Sequence, residues 1–149
     1  MRQVSKNSTF AFLDRVVKRT GNNTAITRTG FIETDNKTGK VTNNECYYME
    51  LHGNKIASNQ ATSSGCRAIH ITLAGWNTVT TRERLGAILR ILGKSNVHIV
   101  QHKHQPCLAT FSGNKRLHRV IDEKRWYDVV ELDHMAHKMR HDYENKGTK

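Results

Sequence analysis

The sequence predicts an α+β fold: a small antiparallel sheet packed with one or two helices, followed by a helical C-terminal extension. Three observations carry that reading. Arg67-Ala68-Ile69-His70-Ile71-Thr72-Leu73 alternates apolar and polar side chains, as a half-buried strand does. Leu85, Ile88, Leu89 and Leu92 recur at helical spacing and end at Gly93, a residue suited to a helix stop. From Asp122 onward the composition shifts, with Trp126, Val129, Val130, Leu132, Met135, Met139 and Tyr143 spaced along one or two terminal helices. The expected organisation is a basic α+β domain over 1–121 and a mixed-charge helical extension over 122–149.

The first element reads as a short helix. Asn7, Ser8 or Thr9 is available as its N-cap, Phe10, Leu13 and Val17 form its inner stripe, and Gly21 follows the basic Lys18-Arg19. β-branched and aromatic residues come next, Thr24–Thr27 and Phe31-Ile32, with a polar turn at Asp35–Gly39, which reads as a hairpin. Cys46–Leu51 is a third strand, turning at His52-Gly53-Asn54 into Lys55-Ile56-Ala57. Ser58–Gly65 is polar and is expected to be a loop. After the alternating strand, Thr80 and Glu83 have capping-box spacing and mark a helix start, with Trp76 expected in the core. A strand at Val97–Gln101, a turn at His104-Gln105-Pro106, a strand at Cys107–Phe111 and a turn at Ser112–Lys115 complete the domain. Asp133 is available to cap a second terminal helix.

Composition narrows the class of function. The 149 residues hold 24 Lys+Arg against 13 Asp+Glu, a formal charge of +11. Residues 51–121 carry ten basic side chains and one acid, Glu83. Soluble surfaces usually intersperse both signs, so a one-signed stretch of this length points to a polyanionic partner, nucleic acid first. No run approaches the ~18 apolar residues of a membrane span, and Met1–Lys6 lacks the apolar core of a secretory signal, which predicts a soluble intracellular protein. Cys46, Cys66 and Cys107 are odd in number and form no CxxC pair, so reduced thiols are expected.

Two stretches resemble a known group. Met49-Glu50-Leu51-His52-Gly53-Asn54-Lys55-Ile56-Ala57 and Ile71-Thr72-Leu73-Ala74-Gly75-Trp76-Asn77-Thr78-Val79-Thr80-Thr81-Arg82-Glu83-Arg84-Leu85 are similar to segments of small uncharacterised accessory proteins of tailed bacteriophages. Those have a leucine-histidine-glycine-asparagine turn, a strand ending in Gly-Trp, then Thr-x-Thr-Thr and a helix. The opening, Arg2-Gln3-Val4-Ser5 through Gly21-Asn22, is similar to theirs as well, and the likeness covers roughly residues 1–111. It implies a phage accessory protein in the bacterial host cytoplasm and implies no activity. The chain departs from shorter members around Asp35–Asn44 and beyond Phe111, where an individual function could have been added.

Several constellations bear on chemistry. The helix start after Thr78, Thr80 and Thr81, with Arg82 and Arg84, suits a phosphate, although a capping box would place the Glu83 carboxylate where an anion would sit. His98, His102, His104 and Cys107 are suitable zinc ligands at a spacing that fits no common zinc motif, so exposed histidines beside Lys103 on a basic hairpin are the better reading. His134, His137 and His141 fall on one helical face, read as a solvated or interface stripe. Nuclease chemistry needs clustered carboxylates, which are sparse before 122, and there is no Walker A, Gly-x-Gly-x-x-Gly or Gly-x-Ser-x-Gly motif. Tyr47, Tyr48, Trp76, Phe111, Trp126 and Tyr127 interleave with the basic residues, as aromatics do where they stack on unpaired bases. Strands flank Thr81–Leu92, so no helix-turn-helix is expected.

The resulting expectation is a non-catalytic, phage-encoded nucleic-acid-binding protein that needs no cofactor or metal. Lys55, Arg67, Arg82, Arg84, Arg90, Lys103, Lys115, Arg116 and Arg119 are its phosphate contacts. The alternative is an inhibitor or adaptor that docks the 122–149 tail on a host defence or transcription protein.

Overall fold

The computed structural model describes residues 2–21, 23–62 and 66–146 and is α+β, with antiparallel sheets and three helices. The chain divides into two compact units, residues 1–70 and 71–149.

The first unit begins with α1 (Gln3–Leu13), whose buried face is Ser5, Ser8, Thr9, Ala11 and Phe12. This corrects the expected stripe: Phe10 is exposed, Phe12 is inside, and Ser8 and Thr9 lie within the helix rather than capping it. The reason is local. Ser8 Oγ donates to the Val4 carbonyl at 2.6 Å and Thr9 Oγ1 to the Ser5 carbonyl at 2.8 Å, so both hydroxyls are buried already paired. The unit's sheet runs β1 (Lys18–Arg19), β2 (Thr24–Thr29), β5 (Cys46–Leu51), β6 (Asn54–Ala61), β7 (Arg67–Ile71), and α1 packs against β2 and β5. The hairpin of β3 (Ile32–Thr34) and β4 (Val41–Asn43) stands apart as its own two-stranded sheet. His52 and Gly53, both at positive φ, form the tight turn expected between β5 and β6. The expected loop at Ser58–Gly65 is corrected in part: Ser58–Ala61 continues β6, paired with β5, and 63–65 lie outside the described residues.

Arg67 ties this unit together. Its Nε donates to Asn59 Oδ1 at 2.9 Å and its Nη2 to the Asn59 carbonyl at 3.0 Å, while Asn59 Nδ2 donates to the Phe12 carbonyl of α1 at 3.1 Å. The guanidinium also lies over the Tyr47 ring. Lysine has neither the fork nor the plane for this arrangement. Arg67→Lys is expected to cost about 1–3 kcal/mol, because buried Asn59 loses a charged donor. A shift in urea midpoint corresponding to less than about 0.5 kcal/mol would remove Arg67 as the tie.

In the second unit, α2 (Val79–Ile91) buries Leu85, Ile88 and Leu89 as its spacing predicts, and Gly93 beyond it has φ +82°. Its cap differs from the expected box: Thr78 Oγ1 accepts from the Thr81 N–H at 3.1 Å, which moves the start upstream of Thr80. Trp76, expected in the core, is 58% exposed just before that cap. Strands β8 (His98–His102), β9 (Gln105–Ser112) and β10 (Lys115–Val120) form an antiparallel sheet in the order β10-β9-β8. The turn expected at His104–Pro106 falls earlier, at Lys103-His104, and Gln105-Pro106 already belong to β9. After β11 (Tyr127–Asp128), α3 (Val129–Lys146) runs as one helix. Asp133 therefore lies inside α3 and pairs with Lys94 at 3.4 Å instead of capping a second helix. The 122–146 stretch is built into this unit: α3 packs on β9, Leu132 and Ala136 are fully buried, and Arg140 Nη1 donates to Thr110 Oγ1 at 2.6 Å.

Candidate nucleic-acid interface

The pairing register of β8, β9 and β10 sorts their side chains onto two faces. Leu108 lies opposite Ile99 and Arg119, and Thr110 opposite Leu117. Arg140 of α3 reaches Thr110, and Ile99 meets Leu85 of α2 and Leu132 of α3 around a small void, so both helices cover this face. The opposite face carries His98, Val100 and His102 from β8, Gln105, Cys107, Ala109 and Phe111 from β9, and Arg116, His118 and Val120 from β10. Phe111 is 42% exposed and Val120 56%, while Cys107 and Ala109 between them are buried.

Rings dominate this second face. His98 and Phe111 meet nearly perpendicularly, with centroids 5.7 Å apart. His102 and His118, on the two outer strands, lie stacked 3.8 Å apart and within 10° of parallel, so they meet above β9. Cations rim the face. Arg116 projects from it beside Phe111, and Lys103 and His104 occupy the β8–β9 turn, with φ of 51° and 65°. Neither is glycine, and the left-handed region costs an L-residue about 1–2 kcal/mol, strain of a kind that often accompanies function. Residues 98–120 hold four Lys/Arg, four histidines and no acid.

Burial, and after it the cationic field, shows in the imidazoles. His98 is held below the ordinary histidine range by burial and then by Arg116. His118 is held below it by burial and then by His102, Arg116, Lys103 and Lys115, and its Nε2 is buried with no hydrogen-bond partner among the described residues. With both pKa values lowered in the fold, the unfolded chain binds more protons just below pH 6.5, the free histidine value. Stability is therefore full above that pH and is lost as pH falls through the folded values. The urea midpoint is expected to drop between pH 7.5 and 5.5, and to drop less in His118→Gln; equal drops in the two proteins would overturn the assignment.

The nine expected phosphate contacts have different surroundings within each of the two units. Lys103 and Arg116 stand on or beside the ring-bearing face; Lys115 and Arg119 are exposed on the edge strand β10 with side chains toward the opposite face. Arg90 is exposed on α2. Arg82 is engaged with Asn77, its Nη1 donating to the backbone carbonyl at 3.1 Å and to Oδ1. Arg84 is 3% exposed and contacts Glu83 at 3.3 Å. In the first unit, Arg67 holds Asn59, and Lys55 is exposed above the Tyr48 ring, 4.2 Å from its centroid.

His98, His102 and Cys107 do share a face as their spacing suggests, but among the described residues no three His, Cys, Asp or Glu side chains are placed to hold a metal. His134, His137 and His141 are exposed along α3. His118 joins this face without being among the expected site residues. Its signal was the alternation Arg116, His118, Val120 against Leu117, Arg119, which marks β10 as a strand with two different faces.

Residues 1–133 match the family described as Kyanoviridae Gp96 protein. The chain belongs to this family. Membership makes it a phage protein, in line with the resemblance read from its motifs, and the match takes in the whole ring-bearing face. No curated protein and no solved structure matches the chain. Among the described residues, no helix is long and apolar enough to cross a membrane.

Proposed function

We propose that this phage protein is a non-catalytic nucleic-acid-binding accessory protein that holds the phosphate backbone against the second unit's sheet. The carrying observation is the stretch 98–120: a sheet with one face free of helices, four Lys/Arg, four histidines and no carboxylate. Lys103 and Arg116 are its phosphate contacts at that face; Lys115 and Arg119, exposed on the edge strand β10 but directed to the other face, and Arg90 on α2 extend the cationic surface around it. Arg67, Arg82 and Arg84 serve the fold, since each already has protein partners. Lys55 over Tyr48 is a separate cation–aromatic contact in the first unit.

Fluorescence anisotropy of labelled single- and double-stranded DNA and RNA, titrated with nuclease-treated protein at low salt, tests this. Binding that weakens with salt supports it. Absence of binding at low salt overturns it and leaves docking on a host protein, for which Phe31, Ile32 and Val41, all more than half exposed around the β3–β4 hairpin, are suited.

A further inference from the structure

We infer that the ligand of the open β8–β9–β10 face is single-stranded nucleic acid, its unpaired bases stacking on Phe111 and on the His102–His118 pair. The inference rests on reading this face as a nucleic-acid interface, and adds the form of the ligand and the residues that select it.

Phosphate contacts alone are indifferent to strandedness, because lysine and arginine meet the backbone of a duplex and of a single strand alike. Rings are different. A duplex keeps its base faces inside the stack, whereas an unpaired base offers a π-face that any exposed ring can cover. The open face has rings where such bases would lie. Phe111 keeps 42% of its surface in water, and His98 stands across it at 83°, which fixes the ring instead of leaving it to turn freely. The imidazole pair meets above β9, beside the level of Cys107. From Phe111 to Cys107 is four residues of one strand, roughly 13 Å at the strand's rise. The floor between them is Ala109, whose small side chain is fully buried, so a base would meet ring walls at two stations along β9.

Charge completes the match. Arg116 lies directly opposite Phe111 in the register, and Lys103 and His104 stand in the turn at the other end of β9. A strand laid along β9 would thus have a cation near each stacking station. Both α2 and α3 lie on the other side of the sheet, so no helix projects from this face to enter a duplex groove. An acidic protein surface would use the cations and leave the rings unused.

The experiment compares three labelled ligands at one salt concentration with the full-length protein: an oligothymidylate of about 15 nucleotides, a duplex of equal length, and an abasic strand carrying the same phosphates. The oligothymidylate is expected to bind about tenfold or more tighter than the abasic strand, and tighter than the duplex. Phe111→Leu, which keeps an apolar side chain at a half-exposed site, is expected to weaken the oligothymidylate about tenfold, leaving the abasic strand and the salt slope unchanged. Arg116→Ala should weaken all three. If the abasic strand or the duplex binds as well as the oligothymidylate, base stacking is overturned while the nucleic-acid reading stands. If the wild-type protein binds none of the three at low salt, that reading fails and the inference with it. The abasic comparison needs no variant, so a folding defect in Phe111→Leu leaves the test intact.

Discussion

Leu132→Ala is expected to destabilise the second unit by about 3–4 kcal/mol, within the range for truncating a fully buried leucine. Leu132 is 0% exposed on α3, and together with Leu85, Ile99, Ile121 and Tyr127 it surrounds a void of about 10 Å³. Packing this tight has little slack with which to collapse around the lost atoms, so the cavity contribution adds to the lost transfer energy. Both tryptophans, Trp76 and Trp126, lie in the second unit, which makes their fluorescence a selective probe of its unfolding in urea. Val130→Ala is the control: that side chain is 51% exposed on the same helix and should cost under about 0.5 kcal/mol. A loss below about 1 kcal/mol in Leu132→Ala would mean that α3 does not complete the core.

Because Leu132, Ala136 and Arg140 seat α3 on the Leu108 and Thr110 side of β9, that side is covered by the helix, and the histidine side is the one on which the proposed ligand would lie. That seating also bears on the adaptor reading, in which the 122–149 tail docks on a partner. Deleting that tail would strip the sheet of its cover, so the exposed positions His134, His137 and Val130 are the ones to vary when testing it.

What could be read from the sequence follows from where periodicity is clean. Arg67–Ile71 and Val79–Ile91 each bury one face against one core, so their apolar periods of two and 3.6 were visible directly. α1 is legible as a helix but not in its register, because its buried face mixes Ala11 and Phe12 with Ser5, Ser8 and Thr9, and the Ser8 and Thr9 hydroxyls, satisfied by the helix's own carbonyls, interrupt the apolar stripe. The ring-bearing face was legible only in pieces. Its histidines and Phe111 stood out one at a time, but their meeting depends on a register between β8, β9 and β10 that no local pattern encodes. Arg84 shows the opposite error. A basic residue in a basic stretch reads as surface, yet its position between Thr81 and Leu85 on α2 puts it on the buried side, where it contacts Glu83.

The salt dependence of binding should be steep and countable. If Lys103 and Arg116 at the open face and Lys115 and Arg119, reaching round from the exposed edge strand β10, each neutralise one phosphate of a single strand, log affinity should fall with log salt at a slope of about −2.8, which is roughly a 50-fold loss between 50 and 200 mM. The same four contacts on a duplex would give a slope near −3.6 and a loss of about 150-fold. Each cation removed should lower the slope by about 0.7 on a single strand, so Arg116→Ala and Arg119→Ala together should bring it to about −1.4. Both residues are exposed on the edge strand β10, and their loss leaves the buried Leu108 and Thr110 contacts in place. Lowering the pH should act in the opposite sense to the stability effect: beyond burial, which is the larger cause, Arg116 holds His98 down and His102, Arg116, Lys103 and Lys115 hold His118 down, and bound phosphates offset that positive field. Binding would then take up protons, and affinity would rise as pH falls toward 6 even while the free protein loses stability. A slope near zero, or affinity unchanged across that pH range, would separate these cations and histidines from the ligand.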